Sequence, residues 1–321
     1  MIMNLNKNAL RLVDEVTERK TELRIRVETG PCGCTIIDAG IKTLGGYVAG
    51  RLVTEICLAS YGTVTPLPMQ YGDLVLPSIF VETDFPAIAT LASQFGGWNV
   101  KTGDYSAMAS GPARALARKP KKIYDLIGYE ERSDHAVIVL EADSFPTEEA
   151  VKTIAGECEI SPRNLYAIVA PTSSTVGSIQ VSGRIVETGI HKLLQVGLDP
   201  KLISNGCGYA PIPPIHPKTG RAIGRTNDAI IYGGSAFYTA AVESDDQLKE
   251  LVRNSSSCTS TAYGKPFYDI LKAAEFDMYR IDPNLFAPAV ISVSNVNTGT
   301  TFKAGKINVE VLRRTMGIVD T

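Results

Sequence analysis

The stretch that decides the fold is Pro171-Thr-Ser-Ser-Thr-Val-Gly-Ser-Ile-Gln-Val-Ser-Gly-Arg-Ile-Val-Glu-Thr-Gly-Ile-His-Lys-Leu-Leu-Gln-Val-Gly-Leu-Asp199. Just before it, residues 165–170 form a continuous apolar run that is typical of a short buried strand. From about Ser178 the apolar residues recur at helical spacing. Five of them fall on one side of the predicted helix and should face the core: Ile179, Val186, Ile190, Leu193 and Leu194. The sequence therefore predicts a buried strand, a Ser/Thr-rich turn and an amphipathic helix, in that order.

A second face of the same predicted helix carries polar residues spaced i, i+4, i+7 and i+11: Gln180, Arg184, Glu187 and His191. Gly183 and Gly189 lie beside this face, although a glycine inside a helix costs about 1 kcal/mol relative to alanine. We therefore expect another group to approach the helix backbone closely. The alternative is a solvated face on which Arg184 and Glu187 form an ordinary surface ion pair.

Composition places the chain among soluble globular proteins and gives it no general affinity for polyanions. Its 321 residues are 44% hydrophobic and 21% charged, with a formal net charge of −2. No window approaches the ~18 uninterrupted apolar residues of a transmembrane helix, and the N-terminus carries no apolar signal core. The six cysteines are scattered, and a lone Cys32-Gly-Cys34 pair is a poor zinc signature. We expect a cytoplasmic protein that binds no metal, nucleic acid or membrane.

A short internal echo bears on the domain organisation. The pattern of strand, glycine-containing turn and Gly-Arg-apolar-Val helix occurs around Arg51 and again, roughly 130 residues later, around Arg184. It predicts an α/β fold of two lobes, related by an internal duplication, with a substrate cleft between them. The expected boundaries are 1–130 and 131–321, with strands from about residue 287 packing back on the first lobe.

Elements outside that unit are predicted from local patterns. Short or edge strands are expected in the proline-bearing residues 61–80, and a small-residue helix in residues 86–94. The Gly/Pro-rich residues 200–224 predict a long functional loop that leads into a strand at residues 226–234. Residues 287–293 and 301–307 predict a hairpin, followed by a short helix from Val309.

The basic segment around residue 110 predicts an anion cradle. Ser110 is a candidate N-cap, and Pro112 suits a first helical turn. Free N–H groups beside Gly111, together with Arg114, would then bind a phosphate or a carboxylate. The alternative is a solvated basic turn, and for the lysines that follow the two interpretations weigh about evenly.

The absence of several catalytic motifs limits the reactions that this sequence predicts. The three histidines have no triad context, no metal-ligand spacing occurs, and G-x-G-x-x-G is absent. The remaining combination is Glu187 as general base or acid beside Arg184, with the predicted cradle holding a remote part of the ligand. The residues alone therefore favour a hydrolase or lyase that acts on a phosphate-tailed substrate.

Five blocks, in this order along the chain, closely resemble the methenyltetrahydromethanopterin cyclohydrolase family. They are Ser-Gly-Pro-Ala-Arg-Ala-Leu (110–116), Gly-Ser-x-Gln-x-Ser-Gly-Arg-Ile-Val-Glu-Thr (177–188), Thr-Asn-Asp (226–228), Tyr-Gly-Lys-Pro-Phe (263–267) and Ile-Asp-Pro-Asn-Leu-Phe-Ala-Pro-Ala (281–289). The resemblance implies interconversion of 5-formyl-tetrahydromethanopterin with the 5,10-methenyl cation and water, in methanogenesis or formaldehyde oxidation. It also implies a two-domain α/β subunit with a cleft site, no prosthetic group, a small-molecule pterin substrate, and a homo-oligomer that is typically a trimer. The family's catalytic arginine and glutamate map onto Arg184 and Glu187.

Further substrate contacts are expected in two polar turns, at Asn227, Asp228 and Lys265. For Asp228 a capping role is the stronger alternative. Three aromatic residues could stack on the pterin but are more often core residues: Tyr47, Trp98 and Tyr263. Residues 31–34 and 61–77 match no block of the family. The remaining alternatives are a hydrolase of another phosphate-bearing pterin or nucleotide, and a non-catalytic pterin-binding paralogue.

Overall fold

A computed structural model describes residues 3–319 as an α/β fold with two six-stranded sheets. In chain order the strands are β1 (Arg26–Thr29), β2 (Thr35–Asp38), β3 (Thr63–Tyr71), β4 (Leu74–Thr83), β5 (Trp98–Thr102), β6 (Tyr105–Ser110), β7 (Ala136–Glu141), β8 (Leu165–Val169), β9 (Ile203–Pro211), β10 (Ser235–Ala240), β11 (Val290–Asn295) and β12 (Thr301–Gly305). The predicted α/β class is confirmed.

The helices of the described residues follow the same chain order. They are α1 (Leu5–Glu18), α2 (Tyr47–Cys57), α3 (Ala113–Ala117), α4 (Lys121–Ile127), α5 (Glu148–Glu157), α6 (Thr175–Ser182), α7 (Ile185–Gln195), α8 (Thr219–Gly233), α9 (Asp245–Arg253), α10 (Phe267–Ala273) and α11 (Val309–Met316). A π-helix occupies Ala87–Gln94, where the sequence predicted an ordinary helix. None of these helices has both the length and the apolar composition that a bilayer crossing requires.

The first sheet has the order β1-β2-β8-β7-β6-β5 and is parallel where β2, β8 and β7 meet. Alternate residues of β7 belong to two hydrophobic clusters. Ala136, Ile138 and Leu140 pack in a cluster with residues of α5, whereas Val137 and Val139 pack with residues of α1 and α2. Because both faces are covered, every position of β7 and β8 in these clusters has to be apolar, which explains the continuous apolar runs in the sequence.

The second sheet has the order β12-β11-β10-β9-β4-β3. Its β10 and β11 run parallel, while β9 pairs antiparallel with both β10 and β4. Helix α7 packs on β9 and β10, and a separate apolar cluster joins α8, α10 and α11 to residues of β3 and β4. The predicted C-terminal hairpin is confirmed as β11 and β12, and the helix from Val309 is confirmed as α11.

The division of the chain differs from the predicted one at residue 130. One unit comprises the residues up to Thr63 together with Ile88–Gln180, and the other comprises Val64–Ala87 together with the residues from Val181 onward. The physical reason is strand pairing. β7 and β8 complete the first sheet, and β4 completes the second. The C-terminal strands pair with β10 in the second unit, not with the first unit as expected.

The two strands of the internal echo, β2 and β8, are parallel neighbours in the first sheet. The Gly-Arg segment of its first copy also belongs to the first unit, whereas that of the second copy, Gly183-Arg184, belongs to the second unit. The helices that follow the two strands also meet, because a Cβ on Gly50 of α2 would lie 2.7 Å from Ile179 of α6. The arginine of the first copy, Arg51, pairs with Glu55 one turn on, at 2.9 Å.

Two segments of the second unit differ from the predictions. β9 lies inside the predicted loop, and its Gly206 and Gly208 allow Val186 and Ile185 of α7 to approach the strand backbone. Residues 226–234 were predicted as a strand, but Thr219–Gly233 form a helix. The weak helix formers of α8 are accommodated by packing, since Gly224 lets Tyr268 of α10 come within 2.8 Å of a Cβ position.

Candidate active site

The predicted helix from Ser178 is interrupted at Gly183 and Arg184. Helix α6 ends at Ser182 and α7 begins at Ile185, with Arg184 as its N-cap at φ −80° and ψ 9°. Gln180, Arg184, Glu187 and His191 therefore do not form one continuous helical face, contrary to the spacing argument. Instead, Arg184 and Glu187 both lie in the first turn of α7.

Arg184 and Glu187 are buried, with 9% and 6% of their surface exposed. The alternative of a solvated surface ion pair is therefore wrong. Glu187 is the third residue of α7, where the positive end of the helix dipole stabilises a carboxylate. Four of the five residues predicted to face the core are fully buried, namely Ile179, Val186, Ile190 and Leu193. The fifth, Leu194, is partly exposed.

The start of α7 is fastened to β10 by Tyr238. Its hydroxyl donates a hydrogen bond of 2.7 Å to the backbone carbonyl of Val186, the residue before Glu187. Burial raises the pKa of Tyr238 well above its ordinary value, and the Glu187 carboxylate raises it further. The hydroxyl is therefore protonated across the physiological pH range and remains a donor to the carbonyl.

Gly189 is the position at which this tyrosine approaches the helix. A Cβ on Gly189 would lie 2.1 Å from the Tyr238 hydroxyl, and a Cβ on Gly206 would lie 3.1 Å from the tyrosine ring. We expected another group to approach the helix backbone at its glycines. At Gly189 that group is the Tyr238 side chain of the protein itself. Sequence reasoning missed Tyr238, because nothing in its own segment marks it as a partner of Gly189.

A second hydrogen bond connects α7 to residues 281–289, one of the segments that resemble the cyclohydrolase family. Lys192 is fully buried, and its Nζ donates a hydrogen bond of 2.6 Å to Oδ1 of Asn284. Burial lowers the pKa of Lys192, and the nearby Asp282 carboxylate partly offsets this. Asp282 itself accepts hydrogen bonds from Ser260 and from the backbone of Asn284. The polar residues of this block hold the structure around α7 together.

The predicted anion cradle is built differently from the expectation. Ser110 is buried and contacts the Cys57 thiol, and the Gly111 N–H donates to the Ser93 carbonyl at 2.9 Å. Gly111 has φ +94°, so glycine is required there by the backbone conformation. Because its N–H is engaged within the fold and α3 has five residues, this segment offers less to an anion than the sequence indicated.

Arg114 is fully buried. Its Nη1 donates to the carbonyls of Leu91 and Ser93 at 3.2 and 3.0 Å. The guanidinium also lies 5.2 Å from the centre of the Phe95 ring. These contacts fasten the end of the π-helix and favour a structural role for Arg114. Its contact with a ligand stays a prediction.

Two of the basic residues that follow Arg114 pair with acidic residues at the surface. Arg118 pairs with Asp125 at 2.6 Å, and Lys119 pairs with Glu157 at 2.8 Å. Both pairs are partly exposed, so each adds little to stability. For these two residues the alternative of a solvated basic turn fits the structure.

The residues predicted from the two polar turns lie together in the second unit. Asp228 is buried in α8, and its Oδ1 accepts the N–H of Phe267 at 2.8 Å, which caps the first turn of α10. Asn227 donates to the Ile223 carbonyl of its own helix. Lys265 is exposed, and its carbonyl accepts the Tyr232 hydroxyl at 2.6 Å. The capping alternative for Asp228 fits these contacts, while the substrate contacts stay predictions.

Of the aromatic residues considered for stacking, Trp98 is buried in the core of the first unit. Tyr263 packs against Tyr232 with ring centres 5.1 Å apart, and Tyr47 is half-exposed at the start of α2. Within residues 3–319, no three His, Cys, Asp or Glu side chains are grouped as a metal site would need.

This α/β chain buries an arginine and a glutamate within one turn at the start of a helix. A family model described as "Cyclohydrolase (MCH)" matches residues 4–316. The chain belongs to the methenyltetrahydromethanopterin cyclohydrolase family, as the sequence blocks predicted.

Individual relatives match over almost their whole length. The methenyltetrahydromethanopterin cyclohydrolase of Methanothermobacter marburgensis is 44% identical over 323 residues, covering 99% of this chain and 100% of the relative. That of Methanosphaerula palustris is 45% identical over 319 residues, with 99% and 100% covered. That of Methanocaldococcus jannaschii is 44% identical over 319 residues, with 98% and 99% covered.

The buried position of Arg114 predicts a loss of stability rather than of ligand affinity. Replacing a large buried side chain by alanine costs about 2–5 kcal/mol, so Arg114→Ala should lower the free energy of unfolding by that order. Arg118→Ala, one turn on, removes two partly exposed ion pairs, with Asp125 and Glu130, and should cost less than about 1 kcal/mol. Denaturant unfolding of both variants measures the difference. Equal stability of the two variants, with substrate binding weakened only in Arg114→Ala, would support the cradle instead.

The burial of Asp228 predicts a specific pH dependence of stability. Burial raises the pKa of Asp228 from 3.8 to about 8, against the opposing effect of the Phe267 N–H. Between these two values the folded state holds a proton that the unfolded state has released, so the contribution of Asp228 to stability falls as pH rises from about 4 to about 8.

Asp228→Asn keeps an acceptor for Phe267 and cannot ionise, so it should lose this part of the pH dependence. Thermal unfolding of wild type and variant between pH 4 and pH 9 measures it, and the stability of the variant relative to wild type should increase with pH. A constant difference over that range would show that Asp228 ionises normally in the fold.

Proposed function

We propose that this protein is a cyclohydrolase that interconverts 5-formyl-tetrahydromethanopterin with the 5,10-methenyl-tetrahydromethanopterin cation and water. The observation that carries the proposal is the family match over nearly the whole chain, combined with the burial of Arg184 and Glu187 in one helical turn. The relatives named above carry this activity in their names.

In the hydrolytic direction, a water molecule attacks the amidinium-like carbon that bridges two nitrogens of the methenyl cation. A C–O bond forms and the water gives up a proton, for which Glu187 is the proposed acceptor. One C–N bond of the tetrahedral adduct then breaks as the hydroxyl loses its proton and its C–O bond becomes the carbonyl of the formyl group. The released nitrogen takes up one proton, the formyl group remains on the other nitrogen, and the proton held by Glu187 is released to solvent as the net product. In the cyclising direction, Glu187 donates the proton with which the hydroxyl leaves as water.

Arg184 is proposed to keep the base ionised and the water oriented. A guanidinium does not titrate near neutral pH, so Arg184 cannot itself be the base. Its fixed charge in the same helical turn favours the ionised form of the carboxylate. The helix dipole acts in the same direction, because Glu187 lies in the first turn of α7.

A non-catalytic pterin-binding paralogue is the main alternative of a different class. It would have no need for both a buried carboxylate and a buried arginine at one helix start. Their joint presence in this chain supports the enzyme. For another phosphate-bearing pterin or nucleotide as substrate, the family match offers no support.

The finer properties implied by the family are part of the proposal. The pterin serves as the carrier of the one-carbon unit and no prosthetic group is required. The protein is cytoplasmic and assembles as a homotrimer, which would give a particle of three times the 34.5 kDa chain mass. Ser110, Gly111, Arg114, Asn227, Asp228 and Lys265 remain proposed substrate contacts, the weakest being Arg114 because of its burial.

Glu187→Gln is the direct test of the proposed base. The amide preserves the shape of the side chain but cannot accept the proton, so kcat should fall by a factor of about 10² to 10⁴. The decay of the methenyl absorbance band after mixing with purified protein measures turnover, and calorimetry under the same conditions measures binding, which should be retained. Glu250→Gln, a neutralised carboxylate on the surface of α9, is the matched control and should leave kcat unchanged. Normal turnover by Glu187→Gln would exclude the glutamate as the base.

A further inference from the structure

A pocket lined by arginines lies within the second unit, between α8, α10 and α11. Its volume is about 190 Å³ and its walls include Arg221, Arg225 and Arg314. Asp228 and Asp269 contribute the only carboxylates of its lining. Neither Arg184 nor Glu187 belongs to this lining, so the pocket is separate in composition from the proposed catalytic pair.

Neutral partners hold the three guanidinium groups in place. Arg221 lies over the Tyr268 ring, 4.5 Å from its centre. Nη1 of Arg225 donates to the Pro214 carbonyl at 3.0 Å, and Nη2 of Arg314 donates to the Gly264 carbonyl at 3.2 Å. In the part of the chain that the structure describes, none of the three forms an ion pair with a carboxylate. Since a guanidinium has five N–H donors, several remain for a ligand.

Positive charge dominates the pocket at neutral pH. Burial, and then the Arg225 and Arg221 charges, lower the pKa of His216, which leaves its imidazole neutral. Burial raises the pKa of Asp228 to about 8, so that carboxyl is mostly protonated. Three fixed cations therefore share the pocket lining with one further carboxyl group, that of Asp269. The repulsion between these charges is clearest at the half-buried Arg225, because burial and the neighbouring Arg221 both lower the pKa of its guanidinium.

The size of the pocket limits what can relieve this repulsion. Sites that enclose a drug-sized ligand usually have volumes of roughly 300–1,000 Å³, so this pocket is too small for one. A single water is too small to fill it, since water takes about 30 Å³ in the liquid. A tetrahedral oxyanion fits between these limits, and arginine forks match its oxygens with paired N–H donors.

We propose that this pocket is a binding site for a phosphate-class dianion, held by Arg221, Arg225 and Arg314. Arg225 positions the ligand from the loop side of α8 and Arg314 from the end of α11, while Arg221 covers the pocket from its stack on Tyr268. The shared chemistry admits two sources, inorganic phosphate and the phosphate group of a larger organic molecule.

Thermal unfolding of the full-length protein at constant ionic strength tests the site, with sodium phosphate replacing sodium chloride. Phosphate should raise the Tm of wild type in a saturable way, because a ligand that binds only the folded state stabilises it. Arg221→Gln and Arg314→Gln each remove one charge-assisted contact from an exposed position. Each should weaken the apparent phosphate affinity at least tenfold, as expected for the loss of such a bond. Arg225 is left intact because it also holds the 214–215 backbone.

Arg253→Gln on α9 is the control, since it removes an equal charge outside the pocket and should respond to phosphate as wild type does. Ribose 5-phosphate in a parallel titration separates the two sources. Binding tighter than that of inorganic phosphate identifies an organic phosphate, and weaker binding identifies the free ion. A Tm rise no larger than that in chloride, or an equal rise in all variants, overturns the site. No turnover is measured, so this result stands apart from the fate of the cyclohydrolase proposal.

Discussion

The hydrogen bond from the Tyr238 hydroxyl to the Val186 carbonyl fixes the start of α7 on the second sheet. It requires a glycine at residue 189, because a side chain there would occupy the position of the hydroxyl. It also requires glycine in β9, where Val186 and the tyrosine ring approach the strand. This packing holds the first turn of α7, where Arg184 and Glu187 lie buried, against the second sheet. A helix that continued unbroken from α6 would have spread the same residues along its length.

The sequence predicts the first sheet better than the second, for a physical reason. β7 and β8 are covered on both faces, so burial requires continuous apolar runs in their sequences. Such runs predict a strand without any knowledge of its partners. β9 and α8 are rich in glycine and polar residues, and their structures depend on partners distant in sequence, such as α7 for β9 and Tyr268 for α8. The boundary between the units was missed for the same reason, since β4 pairs with a strand more than a hundred residues later.

The site shows the same contrast. The spacing of Arg184 and Glu187, supported by the family resemblance, identified residues that the structure buries in one turn. Spacing also identified Arg114, but a buried arginine and an anion-binding arginine look alike in sequence. The carbonyls of Leu91 and Ser93 that engage it belong to a π-helix about twenty residues earlier. Nothing in the sequence around Tyr238 indicates its role. Only Gly189, a glycine within a predicted helix, indicated that another group approaches that helix. By contrast, the arginines around Tyr268 form a cluster only once α8, α10 and α11 are packed together.

The central claim is that Arg184 and Glu187 act as one unit on one water, and a double-mutant cycle tests it most directly. The values of kcat/KM for wild type, Arg184→Ala, Glu187→Gln and the double variant would be measured by the loss of the methenyl absorbance band. If the arginine works through the carboxylate, the double variant should be little worse than the poorer single variant, as for residues that act together. Losses that multiply, with no coupling between the two sites, would contradict the account.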